Sequence, residues 1–226
     1  MRRGSRLPVE QLAPYLLTVG RAFSPDAPRA RPETLNDAPL NWQDLFGNDH
    51  PVELEVGFGK GLFLLTAAQS HPEINYVGVE IVRKYQLFTA TRLAKRGVRN
   101  VRVICADVRL FLPRYVGAAS LQAVHVYFPD PWWKKRHHKR RVFTAEFVAE
   151  CARILKPRGQ LHAVTDVEEY AAVMSALLTD QPALTPLPPL SEKEPSHDLD
   201  YLTNFERKFR QQGKPIYRLR YERNEV

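Results

Sequence analysis

Asp130 lies between two prolines, at positions 129 and 131, and its setting is the one in this 226-residue chain best suited to chemistry. Each proline fixes its own φ angle and restricts the residue before it, so the carboxylate has a defined place. A fixed carboxylate can align a reactant or stabilise positive charge as it develops. The Pro-Asp-Pro element therefore predicts an acid at a ligand-binding site.

Aromatic and basic residues follow this acid directly. Trp132 and Trp133 can each stack on a base or cover a cofactor pocket. The segment 134–141 then carries six lysines and arginines, a density suited to contacts with phosphates. A basic run by itself is more often a solvated face, but this one adjoins a fixed acid and a predicted ligand crevice. We expect it to bind a polyanion.

A second chemical feature is the glycine turn made by Gly57, Gly59 and Gly61. Glycines after a strand allow a tight turn and let a ligand approach the backbone. The dinucleotide motif is G-x-G-x-x-G, whereas the third glycine here comes one residue early. Glu55 would repel a pyrophosphate at this turn, but it tolerates a cationic amino-acid cofactor. The turn therefore favours S-adenosylmethionine over NAD.

Two more acids follow the next two predicted strands. Glu80 ends a strand where a carboxylate can reach ribose hydroxyls, and Asp107 follows the third strand, where it can meet an adenine amino group. Each acid, taken alone, is as well explained as a helix N-cap or a solvated strand end. Because the carboxyl ends of parallel strands share one edge, the three acids together predict one cofactor site.

Alternating strands and helices must position these residues. Short apolar runs predict strands at 52–56, 76–80, 101–105, 121–128 and 161–165, and alternating residues predict a final strand at 216–221. Helical periodicity and end signals predict helices at about 60–70, 83–96, 143–155 and 167–179, and short ones after Asp107 and between Thr203 and Gly213. The alternation predicts a doubly wound α/β fold with a mostly parallel sheet over 51–226. Residues 1–50 are expected to form a basic, Pro-rich, partly ordered arm, and 181–200 an irregular loop.

Composition limits the function classes. A net charge of +8 favours a polyanionic partner, and 44% hydrophobic residues exclude disorder of the whole chain. No apolar run reaches the roughly 18 residues of a membrane span, and no signal-peptide core follows the basic N-terminus. Cys105 and Cys151 lie in apolar segments, which indicates a reducing cytoplasm. His137 and His138 lack a second ligand pair, so we expect no metal site.

These residues resemble a known family, the bacterial tRNA (guanine-N7-)-methyltransferases. The resemblance extends from Leu54 to Tyr221 and is weakest in the arm. Its most specific part is the Pro-Asp-Pro-Trp element with its basic run. The other matching motifs are Leu54–Gly61, Gly78–Glu80, Ala106–Asp107, Thr165–Asp166, Thr203–Glu206 and Gly213–Tyr217.

The resemblance implies a Rossmann-like, seven-stranded methyltransferase fold, S-adenosylmethionine as cofactor, and methylation of N7 of a guanosine in the tRNA variable loop. It implies cofactor contacts by Glu55, Gly57, Gly59, Gly61, Glu80, Asp107 and Asp130. It implies substrate contacts by Lys134, Asp166, Thr203, Asn204, Phe205 and Glu206, with Asn204 at a variable position of the family. It implies RNA contacts by the arm at 2–6 and by the residues Arg136, His137, His138, Lys139, Arg140 and Arg141. We expect tRNA as partner, neither membrane nor metal, and a monomer or homodimer in the cytoplasm.

Methylation at N7 needs no strong base. Guanine N7 has an in-plane lone pair and no proton, so it can attack the sulfonium methyl carbon directly. The expected work is alignment and stabilisation of positive charge on the ring. We expect Asp130, as the catalytic residue, and Asp166 to do this by accepting hydrogen bonds from guanine N1–H and the N2 amino group. Asp166 has a competing role as a helix N-cap, and Glu206 as part of a capping box.

Three rival functions use some of the same residues. A nicotinamide-dependent oxidoreductase conflicts with the glycine spacing, with Glu55 and with the lack of a Tyr-Lys pair for proton transfer. A non-catalytic RNA-binding protein of the same fold conflicts with the complete set of acids. Methylation of an exocyclic amine conflicts with Pro-Asp-Pro-Trp, since those enzymes have Asp or Asn followed by Pro-Pro and an aromatic residue.

Overall fold

The computed structural model describes residues 7–19, 38–189 and 203–225. Seven strands form one sheet in the order β3-β2-β1-β4-β5-β7-β6. They are β1 (Val52–Val56), β2 (Asn75–Glu80), β3 (Val101–Cys105), β4 (Leu121–Tyr127), β5 (Leu155–Thr165), β6 (Leu184–Leu187) and β7 (Tyr217–Arg223). Strands β1 to β5 are parallel, and β7 is antiparallel to both neighbours. The sheet confirms the predicted doubly wound, mostly parallel architecture.

Helices connect the strands and pack on them through two hydrophobic clusters. They are α1 (Val9–Leu12), α2 (Trp42–Phe46), α3 (Leu62–Ser70), α4 (Arg83–Lys95), α5 (Val108–Tyr115), α6 (Ala145–Ile154), α7 (Glu168–Thr179) and α8 (Asn204–Gln211). Helices α5 to α7 supply Phe111, Phe147 and Met174 to one cluster, and α3 and α4 supply Leu64 and Leu93 to the other. Because parallel strands are covered on both faces, all residues of β2 and all but one of β4 are buried.

The strand order places a crevice beside β1. From β1 the chain builds outward through β2 and β3, and then returns to add β4 on the other side. In such sheets ligands bind outside the carboxyl ends of the strands at this reversal. The register pairs Glu55 with Gly78 on one side and His125 on the other. The segments that follow β1, β2 and β4 therefore share one edge of the sheet.

Strand β5 begins earlier than predicted. The sequence predicts a helix to residue 155 and a strand from 161, but β5 starts at Leu155, directly after α6. Its register against β4 shifts between Leu121 and Ala123, and Arg158 has φ of 62°. Pro157, Arg158 and Gly159 thus form an irregular strand start that has the composition of a turn.

Strand β6 lies in the segment predicted to be an irregular loop, and that prediction was wrong for residues 184–187. Pro186 belongs to this strand, which is at the edge of the sheet beside β7. A proline lacks the N–H of a central strand, but an edge strand tolerates it. The proline content that indicated a loop is therefore compatible with this position.

The described part of residues 1–50 packs on the domain. Leu12 is fully buried, and the Leu17 N–H donates to the Val103 carbonyl at 3.0 Å. Asn41 caps α2 by accepting from the backbone N–H groups of Gln43 and Asp44. The basic stretch 2–6 lies outside the described residues, and the domain boundary at residue 50 stays a prediction.

Gly61→Ala is expected to destabilise the protein by about 2–4 kcal/mol, the sum of overpacking and backbone strain. Gly61 has φ of +62°, and a Cβ there would lie 2.2 Å from Cγ2 of Thr89. Urea unfolding measures the change. Gly47→Ala is the control, because Gly47 has φ of +74° and no atom of the described part of the chain lies within 4 Å of the added carbon. Equal losses for the two variants would contradict the overlap with Thr89.

Candidate active site

A cavity of about 810 Å³ opens at the carboxyl edge of the sheet, beside the ends of β1 to β4. Small-molecule sites typically have volumes of about 300–1,000 Å³. The four acids expected to contact a cofactor, Glu55, Glu80, Asp107 and Asp130, all line this cavity. The structure therefore brings these four side chains together, although three strands separate Glu55 from Asp130 along the chain.

The glycine turn forms one wall of the cavity. Gly57 and Gly59 line it, whereas Gly61 is the N-cap of α3. The turn is closed by the Gly57 N–H, which donates to the Val79 carbonyl at 2.8 Å, and by the Gly61 N–H, which donates to the Phe58 carbonyl at 2.7 Å. Gly61 thus shapes the turn and does not line the cavity.

Glu55 is the most unusual acid of the site. It is 3% exposed, and its Oε2 atom has no hydrogen-bond partner among the residues that the structure describes. Burial, followed by repulsion from Glu80, raises the pKa of Glu55 well above its usual value. A buried carboxylate without a partner is costly unless a ligand supplies a cation or a donor. At this wall of the cavity, Glu55 suits a positively charged ligand and opposes a pyrophosphate.

The Glu80 carboxylate is held by the backbone. It accepts from the N–H groups of Gly59 and Val82, each at 3.0 Å. Burial raises the pKa of Glu80, these N–H groups lower it in part, and Asp130 raises it further. Each carboxylate oxygen keeps a second acceptor position. Glu80 can therefore accept hydrogen bonds from two adjacent hydroxyls such as those of ribose.

Asp107 combines the two roles considered for it. It is the N-cap of α5, accepting from the Arg109 N–H at 3.0 Å, and it lines the cavity. It also pairs with the Arg109 side chain, with 2.6 Å between Oδ2 and Nη2. Burial acts to raise the pKa of Asp107, but the hydrogen bonds from Arg109 outweigh it and lower the value.

The loop that carries Asp130 is fixed at both ends. Phe128 has φ of 52° and Trp132 has φ of 43°. Arg141 donates from Nε to the Pro131 carbonyl at 2.6 Å. Arg141, expected to bind RNA, thus also positions the loop that holds Asp130.

The two tryptophans differ in position. Trp132 lines the cavity, whereas Trp133 is 59% exposed and does not. The Arg140 guanidinium lies 5.0 Å from the Trp132 ring centre, and the His137 ring lies 5.6 Å away. Arg140 also lines the cavity. The basic segment 134–141 therefore reaches the cavity through Arg140, near its C-terminal end.

The rest of the basic segment is only partly described. Residues 135–140 form a 3₁₀ turn, in which Arg136 and Arg140 are exposed. The side chains of Lys135, His138 and Lys139 lie outside what the structure describes.

Helix α8 supplies the remaining wall. Thr203, Asn204, Phe205 and Lys208 line the cavity. Thr203 caps the helix by accepting from the Glu206 N–H at 3.0 Å. Glu206 itself is not at the wall, since it is 3% exposed and its Oε1 atom accepts from Nη2 of Arg218 at 2.6 Å. Glu206 therefore ties α8 to β7, a role that neither the capping box nor substrate contact predicted.

Asp166 and Lys134 do not line the cavity. Lys134 is exposed, and Asp166 is half-buried directly after β5. The N-cap of α7 is Val167 without a side-chain cap, and its N–H donates to Thr165 Oγ1 at 3.3 Å. The competing N-cap role of Asp166 is thus not found.

An aromatic cluster at the cavity was missed from the sequence. The Phe128 ring centre lies 5.4 Å from that of Phe209 and 6.2 Å from that of Phe205. Phe205 is 55% exposed and lines the cavity. The spacing of Phe205 and Phe209, four residues apart in a helix, was the available signal. The cluster offers a planar, apolar contact for a base.

A polar chain beside the cavity was also missed. His125 contacts Glu53 Oε2 through Nε2 and the Tyr127 hydroxyl through Nδ1, both at 2.8 Å. Burial, and next to it repulsion from the charge of Glu55, raises the pKa of Tyr127 well above its usual value. The ring of His162 stacks on that of His125, and burial lowers the pKa of His162 to about 3. Tyr127 lines the cavity. The chain therefore fixes the side chain of Tyr127, one of the residues at the wall.

Comparison with known proteins decides the family. A family model with the description "Putative methyltransferase" matches residues 49–219. A tRNA (guanine-N(7)-)-methyltransferase of Rhodopirellula baltica is 46% identical in an alignment of 198 positions that covers 85% of this chain and 73% of the relative. The protein of that name from Hydrogenovibrio crunogenus is 37% identical over 190 residues, 84% of this chain and 79% of the relative. This chain belongs to the tRNA (guanine-N(7)-)-methyltransferase family.

Solved structures agree on the fold of this family member. A SAM-dependent methyltransferase from Aquifex aeolicus superposes with a TM-score of 0.53 at 14% identity, covering 79% of this chain and 86% of that chain. Family and fold confirm the predicted cofactor, S-adenosylmethionine. The unpaired Glu55 oxygen fits this cofactor, because its α-ammonium group and its sulfonium are cationic.

The described residues give two further findings about this methyltransferase. Within 7–19, 38–189 and 203–225, no helix has the length and apolar character needed to cross a membrane. The same residues contain no group of three or more His, Cys, Asp or Glu side chains that could hold a metal ion.

Proposed function

We propose that this protein methylates N7 of a guanosine in the variable loop of tRNA, with S-adenosylmethionine as methyl donor. The observation that carries the proposal is a cavity that combines acidic side chains with an adjoining basic segment. Four acids line it, and the basic segment 134–141 reaches its wall through Arg140. The acids suit a cationic donor and the cations suit RNA. The names of the relatives support guanine N7 as the acceptor.

The strand-end acids hold the cofactor in this proposal. When bound, S-adenosylmethionine supplies a methyl group on a positively charged sulfur. Glu55 binds the α-ammonium group, Glu80 the ribose hydroxyls and Asp107 the adenine amino group. Gly57 and Gly59 let the cofactor approach the backbone.

The guanine is held by residues at the mouth of the cavity. Phe205 contacts the face of the base, and Thr203 and Asn204 contact its edge. Lys134, Asp166 and Glu206 complete the predicted substrate set from positions outside the wall. For Glu206 this contribution is indirect, through the position of α8.

Asp130 is the catalytic residue of the proposal. It accepts hydrogen bonds from the guanine, with Asp166 as the second candidate for the same contacts. Since N7 carries no proton, the reaction needs alignment of N7 with the methyl carbon and a negative charge near the ring, and it needs no general base. Asp130 provides both because its loop is fixed by prolines and by Arg141.

Mass spectrometry of nucleosides tests the proposed function. After tRNA is incubated with protein and S-adenosylmethionine, 7-methylguanosine is expected in the fragment that contains the variable loop. A tRNA with 7-deazaguanosine at that position is the control, because it keeps the edge hydrogen bonds but lacks N7. Methylation of the control, or of a different base or atom, would overturn the proposal. We place this activity in the cytoplasm, with a monomer or homodimer as the active form.

Replacing Arg136 and Lys139 by alanine is expected to weaken tRNA binding in a salt-dependent way. The slope of log K against log salt concentration is negative, and its magnitude is expected to decrease by roughly 0.7–0.9 for each lost phosphate contact. Binding titrations at several salt concentrations measure it. Lys156→Ala with Arg158→Ala is the control, since it removes two exposed charges from the start of β5, at the opposite edge of the sheet. An unchanged slope in the first variant would count against phosphate contacts there.

A further inference from the structure

The positive charge of this chain is concentrated in a second place besides the segment 134–141. Residues 81–106 contain seven lysines and arginines and no aspartate or glutamate. The other 26 basic residues are nearly balanced by the 25 acidic residues of the chain, whose net charge is +8. Residues 81–106, which include α4, are therefore a second stretch of uncompensated positive charge beside the six cations of 134–141.

One face of α4 combines cations with an exposed aromatic ring. Lys84, Phe88 and Arg92 are four residues apart and so share a face, along roughly 12 Å of the helix. Lys84 is exposed, Phe88 is 44% exposed, and Arg92 is half-buried. Other α4 positions, including Leu87, Ala90 and Leu93, are buried in the core. The face is thus open to a partner.

The cations of this face lack counter-charges. Neither Lys84 nor Arg92 forms an ion pair with any residue that the structure describes, and the same holds for Arg83 and Arg96. Burial, followed by repulsion from Arg96, lowers the pKa of Arg92. Its Nη1 donates to the Lys60 carbonyl at 2.9 Å, which places this arginine beside another exposed lysine. An anionic partner would relieve this repulsion.

The face is continuous with the cavity. Lys60 and, at the start of α4, Val82 and Tyr85 line the cavity on the side of β2. Trp132 and Arg140 line it from the loop after β4. A nucleoside in the cavity would therefore have cations on two sides of it.

We propose that the α4 face formed by Lys84, Phe88 and Arg92 is a second tRNA-binding surface of this enzyme. Lys84 and Arg92 contact phosphates of the chain next to the target guanosine, and Phe88 stacks on an unpaired base. The inference rests on the proposed function, since it assigns a second contact to the same substrate.

Charge decides between the possible occupants. A two-fold contact between copies of this chain through α4 would bring the same cations face to face, which is unfavourable. An anionic membrane would satisfy the cations, but a single exposed ring at the mouth of a nucleoside-sized cavity suits a base better. RNA satisfies both the charges and the ring.

Two variants separate the phosphate contacts from stacking. Lys84→Ala with Arg92→Ala is expected to weaken tRNA binding about tenfold at 0.1 M salt and to lower the salt slope by roughly 0.7–0.9 per contact. Phe88→Ala is expected to weaken binding by roughly 5- to 100-fold with the salt slope unchanged. Calorimetry with S-adenosylmethionine is expected to give the same affinity for all of them, because these side chains do not line the cavity. Lys84→Ala alone, with half the change in slope, guards against a folding effect through the Lys60 contact.

The outcomes distinguish this inference from the proposed function. Lys156→Ala with Arg158→Ala is the charge-matched control and is expected to bind tRNA as the unchanged protein does. If the protein methylates tRNA but the α4 variants keep its affinity and salt slope, the surface is wrong and the function stands. If the protein binds tRNA but does not methylate it, the proposed function is wrong. The binding data for the α4 variants then still test whether this face contacts tRNA. Loss of binding to vesicles of anionic phospholipid, with tRNA affinity unchanged, would assign the face to a membrane and overturn the proposal.

Discussion

Glu55→Gln is expected to weaken S-adenosylmethionine binding roughly 10- to 100-fold and at the same time to raise the melting temperature of the cofactor-free protein. The first effect is the loss of one charge-assisted contact, about 1.5–3 kcal/mol. The second arises because glutamine has no charge to bury at a position that is 3% exposed. Calorimetry and thermal unfolding measure the two effects.

The pH dependence of Glu55 gives the same test another readout. Its folded pKa is raised above the usual 4.5, so between these values the folded state holds a proton that the unfolded state has released. The stability of the cofactor-free protein should therefore fall as pH rises through this window. Cofactor affinity should rise in the same window, because a cation favours the ionised carboxylate.

In Glu55→Gln both slopes should be smaller than in the unchanged protein. Glu225→Gln is the matched control, since Glu225 is an exposed glutamate paired with Arg158 far from the cavity. An unchanged affinity in Glu55→Gln would remove this carboxylate from the cofactor site. If the melting temperature of Glu55→Gln falls while its cofactor affinity stays unchanged, the role of Glu55 is structural.

Asp130→Asn is expected to lower kcat by about 10²- to 10³-fold, the usual effect of removing one preorganised electrostatic contact to a transition state. The affinity for tRNA should change little, because asparagine keeps the size of the side chain and the phosphate contacts lie elsewhere. Single-turnover methyl transfer and a separate binding titration measure the two quantities. Equal losses of rate and affinity would refute the catalytic assignment.

Asp166→Asn is the informative companion to this variant. Asp166 does not line the cavity, whereas Asp130 does, so the rate loss should be smaller at Asp166. Since Asp166 does not cap α7, its replacement should cost little stability. A larger rate loss at Asp166 would reverse the roles of the two acids.

The sequence predicted well those features that are local in the chain. The predicted bounds of the strands β1 to β4 agree within a residue with the structure. The acids at their ends meet because parallel strands end at one edge. Local composition gave wrong predictions at β5 and β6, where Pro157 and Pro186 indicated irregular segments. Pro157 lies in the irregular start of β5, and Pro186 lies in an edge strand.

What escaped prediction depends on partners distant in the sequence. Glu53 and His125 are 72 residues apart, and no local pattern pairs them. Glu206 resembles a capping-box acid, but Arg218 of the neighbouring strand takes its carboxylate. Arg141 resembles one more cation of a basic run, but its contact with the Pro131 carbonyl appears only once the loop has folded back.

Both borders of the sheet are protected against addition of a foreign strand. At the β3 border, Leu16 forms a parallel bridge with Val103, so the N-terminal segment occupies backbone groups that another molecule would otherwise pair with. At the β6 border, Pro186 interrupts the row of donors. An enzyme rich in apolar strands thereby avoids edge-to-edge aggregation, and loss of residues 7–19 would remove that protection on one side.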